Sequence, residues 1–305
     1  MLGDIFYWVL NMSIIGSLTG VFVLAFRKIK KIPPLFKYAL WLIPYTRLIL
    51  PLGISSQYSL LTLISLFSRE TFVLYQLTET PPLVMINSIK AADSFFPVIY
   101  KTDELQSVFF ISSIIWISVF SILVFYSVLL YHFAKPNIKA ATHLHSNVYL
   151  STQYDIPFVS GIIKPKIIIP SNVKEQDISY ILIHEYVHLY RKDNLLRCLA
   201  MIISCIHWFN PLSWVYLKYF LEDMELACDE KALKNMDIDE RKKYAHALLN
   251  CASAKMGFAS AFGGAKIHTR IENILSYRKL TMTSSIVLIV LFIAIFVALL
   301  SNAQV

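Results

Sequence analysis

Charge is what this chain has least of. Asp, Glu, Lys and Arg make up 16% of its 305 residues, against 56% hydrophobic residues. A soluble domain carries about a quarter charged residues, so the deficit requires either an unusually apolar core or membrane spans. Cysteine is scarce as well. Cys198, Cys205, Cys228 and Cys251 form no CxxC pair, which excludes a zinc knuckle. They read as small buried hydrophobes, kept reduced on the cytosolic side. No DNA- or RNA-binding motif and no internal repeat stands out, so direct nucleic-acid binding is not expected despite a net charge of +8. No basic n-region precedes the first apolar run, as a cleavable signal peptide would require; the basic residues follow it.

What is present is four apolar segments, at about residues 5–26, 36–54, 108–133 and 286–300. The first and third are long enough for a helix to cross a ~30 Å hydrocarbon core. The second is interrupted by Pro44, Arg47 and Pro51, and the fourth reaches spanning length only with its flanks. Arg27, Lys28, Lys30, Lys31 and Lys37 join the first two segments; Lys135, Lys139, Lys164 and Lys166 follow the third; Arg270, Arg278 and Lys279 precede the fourth. Basic loops face the cytoplasm. The expectation is a mainly α, polytopic protein of the bacterial cell membrane with four transmembrane helices and both termini outside. Residues 1–133 form the membrane region, with an extracellular loop at about 55–107. A cytosolic domain follows at 134–282, then the fourth helix and a short tail at 283–305. Arg47, inside a span, is expected to snorkel or to find a local partner.

The stretch 134–282 has the texture of an α+β domain. Val148-Tyr-Leu-Ser and the run from Pro157 to Pro170 are rich in β-branched residues punctuated by Gly161, Pro165 and Pro170. They read as short strands or a hairpin. Helices follow, the first capped by Asp177, then others at about 195–207, 212–234 and 239–255. Residues 195–220 are nearly as apolar as a span. Pro211 in their middle favours a buried or membrane-apposed helical hairpin.

Within this domain stands His184-Glu185-Tyr186-Val187-His188. Residues four apart share a helix face, so the two imidazoles can hold one Zn2+ while Glu185 takes a proton from a water beside the metal. Later come Glu222, Glu225 and Asp229. A catalytic zinc of this kind takes two His and one Glu, leaving a fourth position open. Glu225 is assigned as the third ligand, with Glu222 as its competitor one turn earlier. Asp229, one turn on, is placed to orient a ligand imidazole. His143, His145 and His207 are expected to be structural.

The whole chain resembles the BlaR/MecR-type antirepressor metalloproteases of bacterial membranes. The resemblance is carried by HEYVHLYRKD at 184–193, IHWFNPLSW at 206–214, ELACDEKAL at 225–233, FVSGIIKPKIIIP at 158–170, FGGAKIHTRIENIL at 262–275 and TRLILP at 46–51. It implies a gluzincin-like zinc site in the cytosol between the third and fourth spans. It also implies a signalling role in which the protease cuts itself and causes loss of a transcriptional repressor. Sensors of that family carry an extracellular penicillin-binding domain, which the sequence to Val305 does not contain. The expectation is therefore a short form without β-lactam sensing.

The implied reaction is peptide-bond hydrolysis with Glu185 as base. The partners expected are a protein substrate, the lipid bilayer and, as a further candidate, a second copy in a homodimer. Gly161, Ile162 and Ile163 are candidates for a strand that pairs with an extended substrate. Ser260, Ala261 and Phe262, in a stretch of glycines and small residues, are candidates for a self-cleavage loop. Tyr186, His207 and His268 are candidate oxyanion stabilisers. Two other classes compete: a housekeeping quality-control metalloprotease, and a zinc-stabilised scaffold without turnover. The intact Glu185 argues against the scaffold.

Overall fold

A computed structural model describes residues 2–50, 55–56, 58–59, 103–133, 141–253 and 266–303. It opens with helix α1 (Leu2–Arg27), followed by α2 (Pro34–Leu40) and α3 (Leu42–Ile49), then α4 (Asp103–Phe133). Three described helices are long and apolar enough to cross a membrane: Ile5–Arg27, Ser107–Phe133 and Met282–Leu300. The second expected span differs from the sequence reading, being two short helices joined at Trp41. Pro44 is the physical reason. It has no N–H to offer the Leu40 carbonyl, so the ladder is interrupted one turn earlier.

α1 packs on its neighbours through small residues. A Cβ at Gly20 would overlap the Tyr216 ring, so glycine is what allows that approach. In lipid, where burial of apolar surface gives no driving force between helices, close packing and interhelical hydrogen bonds do this work. Arg47 is fully buried and donates to the carbonyls of Leu299 (3.0 Å) and Ser301 (2.7 Å). It thus caps the last turn of α10 (Met282–Leu300), where a cation is favoured by the helix dipole. The expected local partner is therefore a helix C-terminus. Beside it, β1 (Ser55–Ser56) pairs in parallel with β6 (Asn302–Ala303).

The four-stranded sheet runs β2–β3–β5–β4, with β2 Thr142–His145, β3 Val148–Ser151, β4 Phe158–Ser160 and β5 Lys166–Pro170. β3 and β5 are parallel, and the two outer pairings are antiparallel. β5 is central and carries Ile167, Ile168 and Ile169, all buried. Gly161, Ile162 and Ile163 lie in the turn between β4 and β5 rather than in the ladder. Gly161 has φ +96°, a conformation that suits a turn and not a strand. β4 is an edge, but Asn194 already donates to the Val159 and Gly161 carbonyls on that side.

Helices α5 (Glu175–Arg191), α6 (Asp193–Ile206), α7 (Pro211–Ala232), α8 (Ile238–Ser253) and α9 (Ile267–Leu275) complete the chain before α10. α5 starts earlier than expected. Asp177 sits inside its first turn, where the dipole favours a carboxylate, and accepts from Asn250 at 2.8 Å instead of capping. α6 and α7 form the apolar hairpin. Its tip is set by Asn210, whose side chain accepts from Leu212 N, with Pro211 at the first helical position, a sequence suited to a helix start.

The hairpin penetrates the helix bundle. At its tip, His207 Nε2 lies 2.9 Å from Leu48 O, and Phe209 stacks edge-on to Phe6 at 5.8 Å. Asn210 Nδ2 donates to Ser13 Oγ and Ser17 Oγ of α1 at 2.8 and 2.7 Å. Trp41, Leu48, Ile203, Tyr216, Phe220, Met224 and Ile295 belong to one continuous core. Residues 193–224 are thus packed with 2–49 and 282–300, not apart from them.

Candidate metal centre

α5 carries His184, Glu185 and His188, all at least nine-tenths buried. Its own sequence explains why it can hold them: Glu175 and Asp177 stand in the first turn and Arg191 in the last, matching the helix dipole. Lys192, with φ 56°, then ends the helix in the left-handed conformation, and α6 begins at the next residue.

His184 Nε2 and His188 Nε2 are 3.1 Å apart. Glu225 Oε2, from α7, is 3.6 Å from the first and 3.7 Å from the second. A point equidistant from these three atoms lies about 2 Å from each, which is the Zn–N and Zn–O bond length. The residues present therefore fit a zinc ion without rearrangement. A second grouping brings Cys228 within 4.8 Å of both imidazoles. Its thiol, however, donates to His184 O at 3.4 Å and lies 3.5 Å from His184 Nδ1, the ring nitrogen away from that point. Glu222 is turned from the site altogether, accepting from Arg27 at 2.7 Å.

Each imidazole is held by its other nitrogen. Tyr244 Oη of α8 donates to Asp229 Oδ1 at 2.7 Å and lies 2.9 Å from His184 Nδ1. With its proton given to Asp229, the Tyr244 oxygen accepts from Nδ1–H, which leaves the lone pair on Nε2. Asp229 Oδ1 is itself 3.3 Å from His184 Nδ1. His188 Nδ1 donates to Asp193 Oδ2 at 2.6 Å. Asp193 is fully buried and also accepts from Arg191 Nε at 3.1 Å.

Arg270, on α9, donates twice to Asp229, at 2.7 Å each. The same Nη2 that serves Asp229 Oδ1 stands 3.3 Å from His184 Nε2, and Nη1 stands 3.7 Å from Glu225 Oε2. Burial would raise the Asp229 carboxyl, but Arg270 holds it below the usual carboxylate range. Burial would likewise raise Glu225, but His188 and the bonds to both imidazoles hold it well below that range. Burial would lower His184 and His188. Facing groups outweigh it and raise both well above 6.5: chiefly Cys228, with Asp229, at His184, and Glu225, with Cys228 and Asp193, at His188. Glu185 differs from all of these. It is 6% exposed, and its carboxylate makes no hydrogen bond or ion pair among the described residues.

Of the expected site residues, His184, His188, Glu225 and Asp229 are brought together, with Glu185 beside them in sequence. Gly161, Ile162 and Ile163 stand in their turn. Ser260, Ala261 and Phe262 lie outside the described residues. Among the expected oxyanion groups, His207 sits at the hairpin tip inside the bundle, remote from the two imidazoles. The sequence reading missed Asp193, Tyr244 and Arg270. Asp193 and Arg270 fall inside motifs it had quoted, HEYVHLYRKD and HTRIENIL. Nothing local marks Tyr244.

A family model described as BlaR1 peptidase M56 matches residues 7–282. The chain belongs to this family. It is 30% identical over 150 residues to the regulatory protein BlaR1 of Bacillus licheniformis, covering 48% of this chain and 24% of that protein. It is 30% identical over 115 residues to the methicillin resistance mecR1 protein of Staphylococcus aureus, covering 36% and 20% respectively. With the BlaR1 of Staphylococcus aureus the identity is 27% over 249 residues, 72% of this chain and 42% of the relative. The chain thus aligns with less than half the length of these M56 relatives.

Proposed function

We propose that this M56 chain is an integral-membrane zinc endopeptidase that cuts peptide bonds on the cytoplasmic side, in a signalling pathway that inactivates a transcriptional repressor. The observation that carries the reading is the convergence of His184, His188 and Glu225 on a point at zinc-bonding distance, next to Glu185, whose carboxylate has no partner among the described residues. A carboxylate left without a partner beside that point is free to take up and hand on a proton.

Zinc, when bound, supplies Lewis acidity that polarises a carbonyl and acidifies a water. The chain's residues do the rest. Glu185 takes the proton from the attacking water and delivers it to the departing amine. Tyr244 and Asp229 fix the His184 tautomer, and Asp193 fixes that of His188. Arg270, anchored on Asp229 with Nη1 3.7 Å from Glu225 Oε2, stands at the edge of the site, where its charge would stabilise an oxyanion forming on the carbonyl oxygen. An extended substrate would lie along the β4 edge only after displacing Asn194. The basic loops around the spans support a cytoplasmic site. The kinship with BlaR1 and mecR1 proteins supports a repressor as substrate and a self-cutting step near 257–264.

The test compares wild-type protein with Glu185→Ala in detergent. Both are expected to hold about one zinc per chain, and only wild type to cut an added unfolded protein and to yield a fragment ending between residues 257 and 264. Fragments and turnover equal in the two proteins would end the assignment.

A further inference from the structure

A cavity of about 360 Å³ lies between the α1–α2 connection and the chain leading from α9 into α10. That volume is in the range of small-ligand sites. Three of its lining residues are cations: Lys30, Lys31 and Arg278. None of them has a carboxylate partner among the described residues. Ile32 and Leu280 supply apolar wall, and Asn273 and Glu230 line it with polar groups. Asp229 also borders the cavity, but its charge is matched by Arg270. Glu230 is engaged with Leu35 N at 2.7 Å, and burial raises its carboxyl. The net field in the cavity is therefore positive.

Its place in the fold narrows the ligand. α1 ends at Arg27, α2 begins at Pro34 and α10 begins at Met282. Phe36 of α2 and Phe292, midway along α10, stack edge-on at 6.0 Å, so the two helices pack in the same bundle. A cavity with an apolar wall and unpaired cations, at the level where membrane helices emerge, suits a phosphate that is attached to acyl chains. We propose that this cavity binds the headgroup of an anionic phospholipid, a glycerophosphate of the phosphatidylglycerol type. Lys30, Lys31 and Arg278 hold the phosphate, and Asn273 and Glu230 meet the glycerol hydroxyls. The proposal rests on α1 and α10 crossing the membrane, and not on peptidase activity.

Native mass spectrometry of the full chain in detergent tests it, with phosphatidylglycerol, phosphatidylcholine of the same acyl chains, and inorganic phosphate as probes. Wild type is expected to retain one phosphatidylglycerol at concentrations where phosphatidylcholine is lost. The Lys30→Gln/Lys31→Gln/Arg278→Gln variant is expected to retain it at least about tenfold less, since each cation removed near an anionic headgroup costs a several-fold change. Lys164→Gln, in the β4–β5 turn, serves as control and retains lipid as wild type does. Zinc content equal to wild type shows that the variant is folded; if the triple change unfolds the chain, Arg278→Gln alone is read, with a smaller loss expected. Equal retention by wild type and the folded variant overturns the proposal, as does equal retention of the two lipids. Displacement of the lipid by equimolar inorganic phosphate assigns the cavity to free phosphate and overturns the lipid assignment. None of these outcomes touches the Glu185 comparison.

Discussion

Asp193→Asn offers a sharp test of how the metal centre is built. In the structure Asp193 is fully buried and its two oxygens serve different partners, His188 Nδ1 at 2.6 Å and Arg191 Nε at 3.1 Å. Asparagine keeps the shape but removes the charge and offers one acceptor where there were two. A charge-assisted hydrogen bond of this kind contributes roughly 1.5–3 kcal/mol, and partners that orient a metal-bound imidazole typically account for about 10–100-fold in metal affinity. The two estimates coincide, because tenfold in affinity is about 1.4 kcal/mol. Zinc affinity should therefore fall by about one to two orders of magnitude, measured by competition with a chromogenic chelator at fixed pH. The metal-free protein should lose thermal stability as well, because the same buried bond to His188 is present without the ion. A zinc affinity within about twofold of wild type would show that Asp193 does not orient a ligand, and that His188 is held by packing alone.

Three further outcomes follow from the geometry. Glu225→Ala should lower zinc occupancy while Glu222→Ala, whose carboxylate belongs to Arg27, should spare it; metal analysis showing the reverse would move the ligand role to Glu222. Zinc binding at pH 7 should release protons, because the facing acidic groups raise both metal-free imidazoles well above 6.5 while the ion requires their lone pairs. Affinity should thus rise with pH through neutrality, and a binding enthalpy that does not vary with buffer ionisation would refute this. Single cysteines placed at Ser59 and Ser146 in a cysteine-free chain should label differently with an impermeant reagent in intact cells, Ser59 outside and Ser146 protected; labelling at position 146 would refute a cytoplasmic site.

The parts of the site legible in the sequence are those in which helical spacing carries the information. His184 and His188 are four apart, as are Glu225 and Asp229, and both pairs lie on buried faces of α5 and α7. Asp193 was not legible that way. Five residues beyond His188 is off that helix face, and it is the left-handed turn at Lys192 that folds it back beneath the imidazole. Tyr244 and Arg270 reach His184 across 60 and 86 residues of chain, a separation that no local pattern reports. The spans show the same division. Uninterrupted apolar runs identified α1, α4 and α10, whereas the second segment broke at Trp41 because Pro44 withholds one amide. Apolarity alone could not distinguish a hairpin lying against the membrane face from one inserted among α1, α3 and α4. What decides it is polar chemistry at the tip, where Asn210 finds Ser13 and Ser17, and Trp116 Nε1 donates to the Ile206 carbonyl at 2.8 Å.

α7 is in contact with both the helix bundle and the candidate metal centre. Its first residues lie against α1 through Asn210 and Tyr216, and its later turns carry Glu225 and Asp229. A helix of 22 residues is about 33 Å long and too stiff to absorb motion at one end without passing it on. Just before Glu225, Asp223 is buried and bound by Arg27 Nε at 2.9 Å and by Trp41 Nε1 at 2.8 Å. The end of α1 and the junction of α2 and α3 therefore hold α7 within one turn of Glu225. A displacement of α1 relative to α5 would shift Glu225 against two imidazoles that Tyr244 and Asp193 hold in place. α1 thus bears on the turn of α7 that carries Glu225 without any residue of its own entering the site.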